Sequence, residues 1–363
     1  MATIVAAPAS AQSLPVPAPA SASAQASGVT AAGSARWIPV PRVHGHITSH
    51  ALGLVINSAD PYSVQVGEFY IEARGLSPDQ VLRVDLPVKP TLTPEEFKVL
   101  AGAVDRHFGA PIQAVALAWK QPYAVNCNSI TGALTLGYDG ALCDHTCAAP
   151  TASPYFNAPT AFPHTDLRLR LSMLLAASDV ATAKAMIRRG VDSDGSLGLR
   201  GAPPSNAYFV ATSDVARSTR SRYFPPPGLL RRFGVDVHVL KAQAIGNAQR
   251  VLLYQTGLAR VEGLDSLRWV PGALADHLTS FGGQLSGASG QMSILEWIDS
   301  GATASYGTVS EPCAHAQKFP HPQVLLLNYL QGASAIEAYW KSVAWPQQGV
   351  FIGEPLAAPF APR

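Results

Sequence analysis

Charge is what this chain has least of. Asp, Glu, Lys and Arg make up 14% of its 363 residues, against about 25% in an average soluble protein. The two signs nearly cancel, with 26 basic and 24 acidic residues. The balance gives no overall electrostatic footprint for nucleic acid or an anionic membrane. Long apolar runs are also missing. Runs such as Ala114–Trp119 fall far short of the roughly 20 residues that a membrane-spanning helix needs. The chain has no glycine-rich phosphate loop, no dinucleotide fingerprint and no G-x-S-x-G elbow, so no cofactor is implied. Hydrophobic residues reach 47%, with 30 Gly and 30 Pro. That is the composition of a globular chain with many loops.

Residues 1–36 stand apart. Thirteen of them are alanine and no charge precedes Arg36. Such a segment cannot bury enough apolar surface to offset its ordering entropy. Ala9-Ser10-Ala11 and Ser21–Ala24 have the small-x-small form of signal-peptidase sites. The expectation is a disordered leader, a signal remnant or linker, on a periplasmic or secreted protein.

Only four cysteines occur: Cys127, Cys143, Cys147 and Cys313. An even count agrees with an oxidising compartment. Three of them share one polar, Gly-rich stretch, with His145 beside two of them. A disulfide from Cys127 to Cys143 or Cys147 is expected there; a zinc site and free thiols are the alternatives. The triplet His44, His46 and His50 has no Cys, Asp or Glu among it and is not read as a metal site.

From residue 48 onward, strand and helix signals alternate. Ala51–Ile56 reads as a buried strand and Asp60-Pro61 as the cap of a helix to Arg74, with Val64, Phe69 and Ile71 among its apolar positions. Val81–Leu86 is a second strand. Thr93-Pro94-Glu95-Glu96 is a capping box, and Ile112–Trp119 is a third strand. A loop excursion occupies 120–165. Leu167–Met173 alternates strictly and suggests an edge strand with one wet face. A second series follows, with a helix over Asp179–Arg189 closed by Gly190. Strands follow at Ala207–Ala211, Val235–Leu240, Val251–Tyr254, Ala273–Ala275, Thr303–Val309 and Gly349–Gly353. Helices are expected at Gln291–Ser300 and, behind the Ser334-x-x-Glu337 capping box, through Val343. The fold class is α/β, a mainly parallel sheet with flanking helices. The leader is followed by an N-terminal half over 37–175 and a C-terminal half over 176–363.

Residues 271–313 read PGALADHLTSFGGQLSGASGQMSILEWIDSGATASYGTVSEPC. With KFPHP at 318–322, EAYWKSV at 337–343 and GVFIGEPLAAPF at 349–360, this text resembles an uncharacterised bacterial family of genomes that encode exosortase, the sorting enzyme of PEP-CTERM proteins. The family's Lys-Gly-Val-Pro appears here only as Lys120-Gln121-Pro122. More distantly, the chain is similar to gingipain-type cysteine peptidases of the caspase-like clan, which have two α/β halves. Their catalytic-His motif aligns with Leu253–Ala259, where Leu258 takes the place of the His, and the next strand end has no cysteine. Gly353-Glu354-Pro355 resembles their closing segment. The resemblance implies caspase-like, gingipain-like halves without the standard His/Cys pair. It implies a binding or structural component of an exosortase-linked surface system, with a cell-surface polysaccharide or protein as the expected kind of partner.

A different chemistry competes with that reading. Asp276, His277, Thr279 and Ser280 fall at an expected carboxyl strand end, where α/β sheets bind ligands. His277 with Asp276 has the residue types for acid–base work. Cys313, on the loop after the next strand, would complete a displaced thiol–imidazole pair. The alternative function is therefore a hydrolase using Asp276 and His277, with or without Cys313. Thr256, Glu311, Lys318 and Lys120 are the accompanying binding candidates. The carboxyl ends of Val251–Tyr254, Ala273–Ala275 and Thr303–Val309 are expected to converge on one cleft.

Overall fold

The opening elements follow from caps and buried runs. The computed structural model describes residues 36–362 except Ala288, so the expected leader lies outside the described residues apart from Arg36. Strand β1 (Leu52–Asn57) is buried along its whole length. Helix α1 (Pro61–Arg74) starts where Asp60 accepts the Tyr62 N–H, and it stops at Gly75 in the left-handed conformation, φ 62°. A glycine meets that φ without a Cβ clash. Strands β2 (Val81–Val84) and β3 (Thr91–Leu92) lead to α2 (Pro94–His107). Thr93 and Glu96 form the expected reciprocal box at the start of α2. Strand β4 (Ala114–Leu117) is again fully buried, as expected of an interior parallel strand.

The buried positions of α1 are Ser63, Val66, Gly67 and Tyr70, while the apolar Val64, Phe69 and Ile71 pack partly buried against the core. The Phe69 ring lies under the Arg188 guanidinium, 4.8 Å from its centroid.

The excursion holds β5 (Ala124–Val125), β6 (Asn128–Ser129), α3 (Ile130–Leu136), α4 (Ala141–Asp144) and α5 (Pro163–Leu167). Strands β3, β5 and β6 make a small separate sheet. Strand β7 (Leu171–Leu174) corrects the expectation of a half-wet edge. The Leu-Arg alternation mostly precedes the strand, which is fully buried and paired on both sides, to β4 and to the last strand. Its one polar side chain, Ser172, is satisfied by the Thr131 carbonyl at 2.9 Å.

The second series holds α6 (Val180–Ser193), β8 (Ser205–Ala211), β9 (Gly228–Leu230), β10 (Val235–Lys241), β11 (Val251–Thr256) and β12 (Trp269–His277). It continues with α7 (Leu295–Ser300), β13 (Ala304–Thr308), α8 (Pro322–Leu330), α9 (Ala335–Ser342) and β14 (Gly349–Gly353). Gly190 does not end α6, which continues to Ser193. A Cβ on Gly190 would overlap the Glu354 side chain, so glycine there admits a buried carboxylate against the helix. Strand β12 is nine residues long rather than three. Helix α7 covers only the second half of Gln291–Ser300.

Eleven strands form one mixed sheet in the order β2-β1-β4-β7-β14-β13-β12-β11-β8-β10-β9. Strands β2, β1, β4, β7 and β14 are mutually parallel. So are β13, β12, β11, β8 and β10. The two sets meet antiparallel at β13–β14, and β9 closes the far edge antiparallel to β10. The architecture is thus α/β with a large, mostly parallel sheet and flanking helices. Among the described residues no helix is long and apolar enough to cross a membrane.

Candidate functional site

Strands β11, β12 and β13 are parallel neighbours, so their carboxyl ends lie at one edge of the sheet. In register, Gln255 pairs with Asp276, Thr256 with His277, and Asp276 with Tyr306. Successive strand residues face opposite sides, so Asp276 and His277 enter different environments.

Asp276 is 0% exposed. Its two oxygens accept from Arg220 Nη1 at 2.5 Å and from Gln255 Nε2 at 2.8 Å. Arg220, 2% exposed, also donates to the carbonyls of Thr256 (2.8 Å) and Pro320 (3.2 Å). Burial pushes the Asp276 carboxyl up from its ordinary range, while Arg220 and Gln255 pull it back. Both oxygens are committed, so this carboxylate acts as a clamp that joins the Arg220 turn to the strand ends.

His277 is also 0% exposed. Its Nδ1 accepts from Trp297 Nε1 at 2.9 Å, and its Nε2 faces the Met292 carbonyl at 3.2 Å. An indole N–H only donates and a carbonyl only accepts. The ring is therefore the neutral Nε2–H tautomer with both nitrogens used. Burial lowers its pKa to about 3.

The linkage sign follows. A base with a folded pKa near 3 and an ordinary value of 6.5 contributes fully above pH 6.5, and that contribution is lost as the pH falls toward 3. At pH 5 the loss from His277 is about 2 kcal/mol, at 1.36 kcal/mol per pKa unit. His321, lowered by burial to about 4, adds in the same direction. We expect His277→Gln, which keeps a donor and an acceptor, to flatten the fall in urea-unfolding free energy between pH 6.5 and 5. Equal slopes for the two proteins would remove His277 from the acid response.

Beside these residues lies a cavity of about 160 Å³ lined by Arg217, Thr279, Ser280, Glu311 and Cys313 among others. The Arg217 guanidinium donates to Asp214 at 2.8 Å and to Thr279 Oγ1 at 3.2 Å. Thr279 Oγ1 donates to Gln291 Oε1 at 2.6 Å. Glu311 accepts the Cys313 N–H at 2.7 Å. Cys313 and Ala314 both take left-handed backbone, φ 56° and 55°, which costs non-glycine residues about 1–2 kcal/mol each. Thr219 Oγ1 holds the Ala314 carbonyl at 3.1 Å, and a disulfide from Cys147 holds Cys313. The result is a small polar recess on a pinned turn, with a guanidinium, a carboxylate and hydroxyls on its walls.

The expected cluster is therefore brought together only in part. Thr279, Ser280, Glu311 and Cys313 line the cavity. Thr256 does not: it is buried, with its hydroxyl on the Val210 carbonyl at 3.2 Å. Lys318 is 0% exposed. Its ammonium donates to the Thr146 carbonyl and burial lowers its pKa to about 8, so it tethers the excursion instead of meeting solvent. Lys120 donates to the Ser178 carbonyl at 3.3 Å, beyond the end of β7, and does not line the cavity.

All four cysteines are bonded, Cys127 to Cys143 and Cys147 to Cys313. The first bridge is one of the two expected from the spacing. The second puts Cys313 in a disulfide, where it offers no thiolate. Among the described residues no group of three or more His, Cys, Asp or Glu is placed to hold a metal ion. Arg217 and Arg220 were not among the sequence candidates. Their signal is three arginines within Arg217–Arg222 in a chain so poor in charge. No family model, curated protein or solved structure matches the chain.

Proposed function

We propose that this chain is a binding or structural protein of the bacterial cell exterior, with gingipain-like halves and no cysteine–histidine chemistry. The observation that carries this reading is the state of the three candidate catalytic residues. Asp276 is clamped by Arg220, His277 has both nitrogens satisfied in the core, and Cys313 is half of a disulfide. A nucleophile needs a free thiolate and a base within hydrogen-bond reach, and this arrangement supplies neither. The two disulfides are consistent with a non-cytoplasmic protein. The tie to an exosortase-linked surface system rests on the sequence resemblance, which spans roughly residues 48–361 and is carried by the motifs between 271 and 360. In this reading the strand-end recess is kept as a ligand site.

Incubating the purified, oxidised protein with an unfolded protein substrate and with a thiol-directed peptidase inhibitor tests the reading. We expect no cleavage and no covalent label. Cleavage that disappears in His277→Ala would establish the hydrolase instead.

A further inference from the structure

Away from the strand ends, a groove of about 530 Å³ is lined by Arg42, His44, Arg232, Leu197, Phe233 and Phe360, among others. It shares no residue with the strand-end cavity. No Asp or Glu is among its lining residues. Arg42, His44 and Arg232 are exposed, and none has a hydrogen-bond or ion-pair partner among the described residues. The Arg232 guanidinium lies 5.5 Å from the centroid of the Phe233 ring. Phe233 and Phe360 both line the groove and are half-buried.

Gathering unpaired cations without a counter-charge is unfavourable by itself, and this chain has few charges to spend. Two of them, from distant parts of the sequence, meet here. A guanidinium fork matches a planar carboxylate through two parallel hydrogen bonds. Aromatic rings beside it offer a flat apolar surface for the C–H face of a sugar ring. We propose that this groove binds an acidic oligosaccharide, with its carboxylates on Arg42 and Arg232 and a sugar face against Phe233 or Phe360. The glycan class rests on the surface-protein reading above; the anion preference rests on the groove alone. Single-stranded nucleic acid shares part of this chemistry. It presents a phosphate at every nucleotide and is matched by longer basic tracks, whereas this groove has two arginines.

The test uses the oxidised full chain and calorimetric titration with tetragalacturonate, with uncharged maltotetraose and with an eight-residue oligothymidylate. We expect tetragalacturonate to bind at least tenfold tighter than either of the others. Arg42→Gln/Arg232→Gln should weaken it at least tenfold with an unchanged circular dichroism spectrum and melting midpoint, because neither side chain has a hydrogen-bond or ion-pair partner to lose among the described residues. Arg217→Ala, in the strand-end cavity, should leave it unchanged. No heat with tetragalacturonate, equal binding by the double variant, or tighter oligothymidylate binding each overturns the proposal. Binding lost in Arg217→Ala and kept in the double variant overturns the groove assignment while leaving the surface-protein reading standing. Cleavage activity in the preceding test overturns that reading without touching the groove.

Discussion

Replacing Cys147 and Cys313 together by alanine should lower the free energy of unfolding by about 5 kcal/mol. The bridge joins residues 166 apart in sequence. Cross-linking so long a loop removes a large part of the unfolded chain's freedom, and the cost grows with the logarithm of loop length. The bridge between Cys127 and Cys143 spans only 16 residues, and its double alanine variant should lose about 3 kcal/mol by the same relation. Domains of this kind have about 5–15 kcal/mol in total, so losing the long bridge removes a third or more. The double variants avoid leaving a reactive thiol. Urea unfolding of the two variants beside the parent, all otherwise oxidised, measures the difference. A larger loss from the short bridge would defeat the loop-entropy account. Local loosening should accompany the long-bridge variant, because Cys313 and Ala314 hold strained backbone beside the cavity.

Arg220→Met should cost about 3–5 kcal/mol, the range for removing one partner from a buried ion pair. The loss comes mainly from what is left behind. Asp276 would remain fully buried, with only Gln255 for a partner. The Thr256 and Pro320 carbonyls would each lose a donor. Adding Asp276→Leu to Arg220→Met should recover much of the loss, since an apolar pair can replace a buried ion pair at little net cost. A double-mutant cycle on urea unfolding should therefore give a coupling of about 2 kcal/mol or more. An Arg220→Met variant within 1 kcal/mol of the parent would show the clamp to be marginal.

Local chemistry was legible where it acts over a few residues. The Asp60 cap and the Thr93–Glu96 and Ser334–Glu337 boxes are contacts within one helical turn. The sequence carries both partners of each. The runs Ala51–Ile56 and Ile112–Trp119 marked interior strands for the same reason, and the strands found there, Leu52–Asn57 and Ala114–Leu117, are buried throughout. Helix α8 left no such trace. Its residues Pro322–Leu330 are buried almost all round, so no polar face marks a helical period. Gly190 misled because a glycine inside a helix and one at its end look alike. Only the approach of Glu354, far away in sequence, decides between them.

The strand-end candidates show the same division. Residue types and position placed Asp276, His277, Thr279, Ser280 and Glu311 at one sheet edge, because parallel strands joined by crossovers present their carboxyl ends together. Which side chains would be consumed by the core was not readable. Asp276 and His277 are adjacent in sequence, and strand alternation sends one to Arg220 and the other to Trp297. Both partners come from separate elements. Burial then shifts both groups in the direction that disfavours charge.

The sequence by itself determined the alternation of buried strands and capped helices and the polar character of the excursion, and it pointed to a disulfide of Cys127 there with its partner left open between Cys143 and Cys147. Each depends on neighbours a few residues away. The tertiary structure alone decided that β14, last in the chain, lies mid-sheet between β7 and β13. It likewise decided that the strands reverse direction between β14 and β13, and that Cys147 reaches Cys313. Those outcomes depend on which surfaces meet across hundreds of residues, and packing settles that where no short-range pattern can record it.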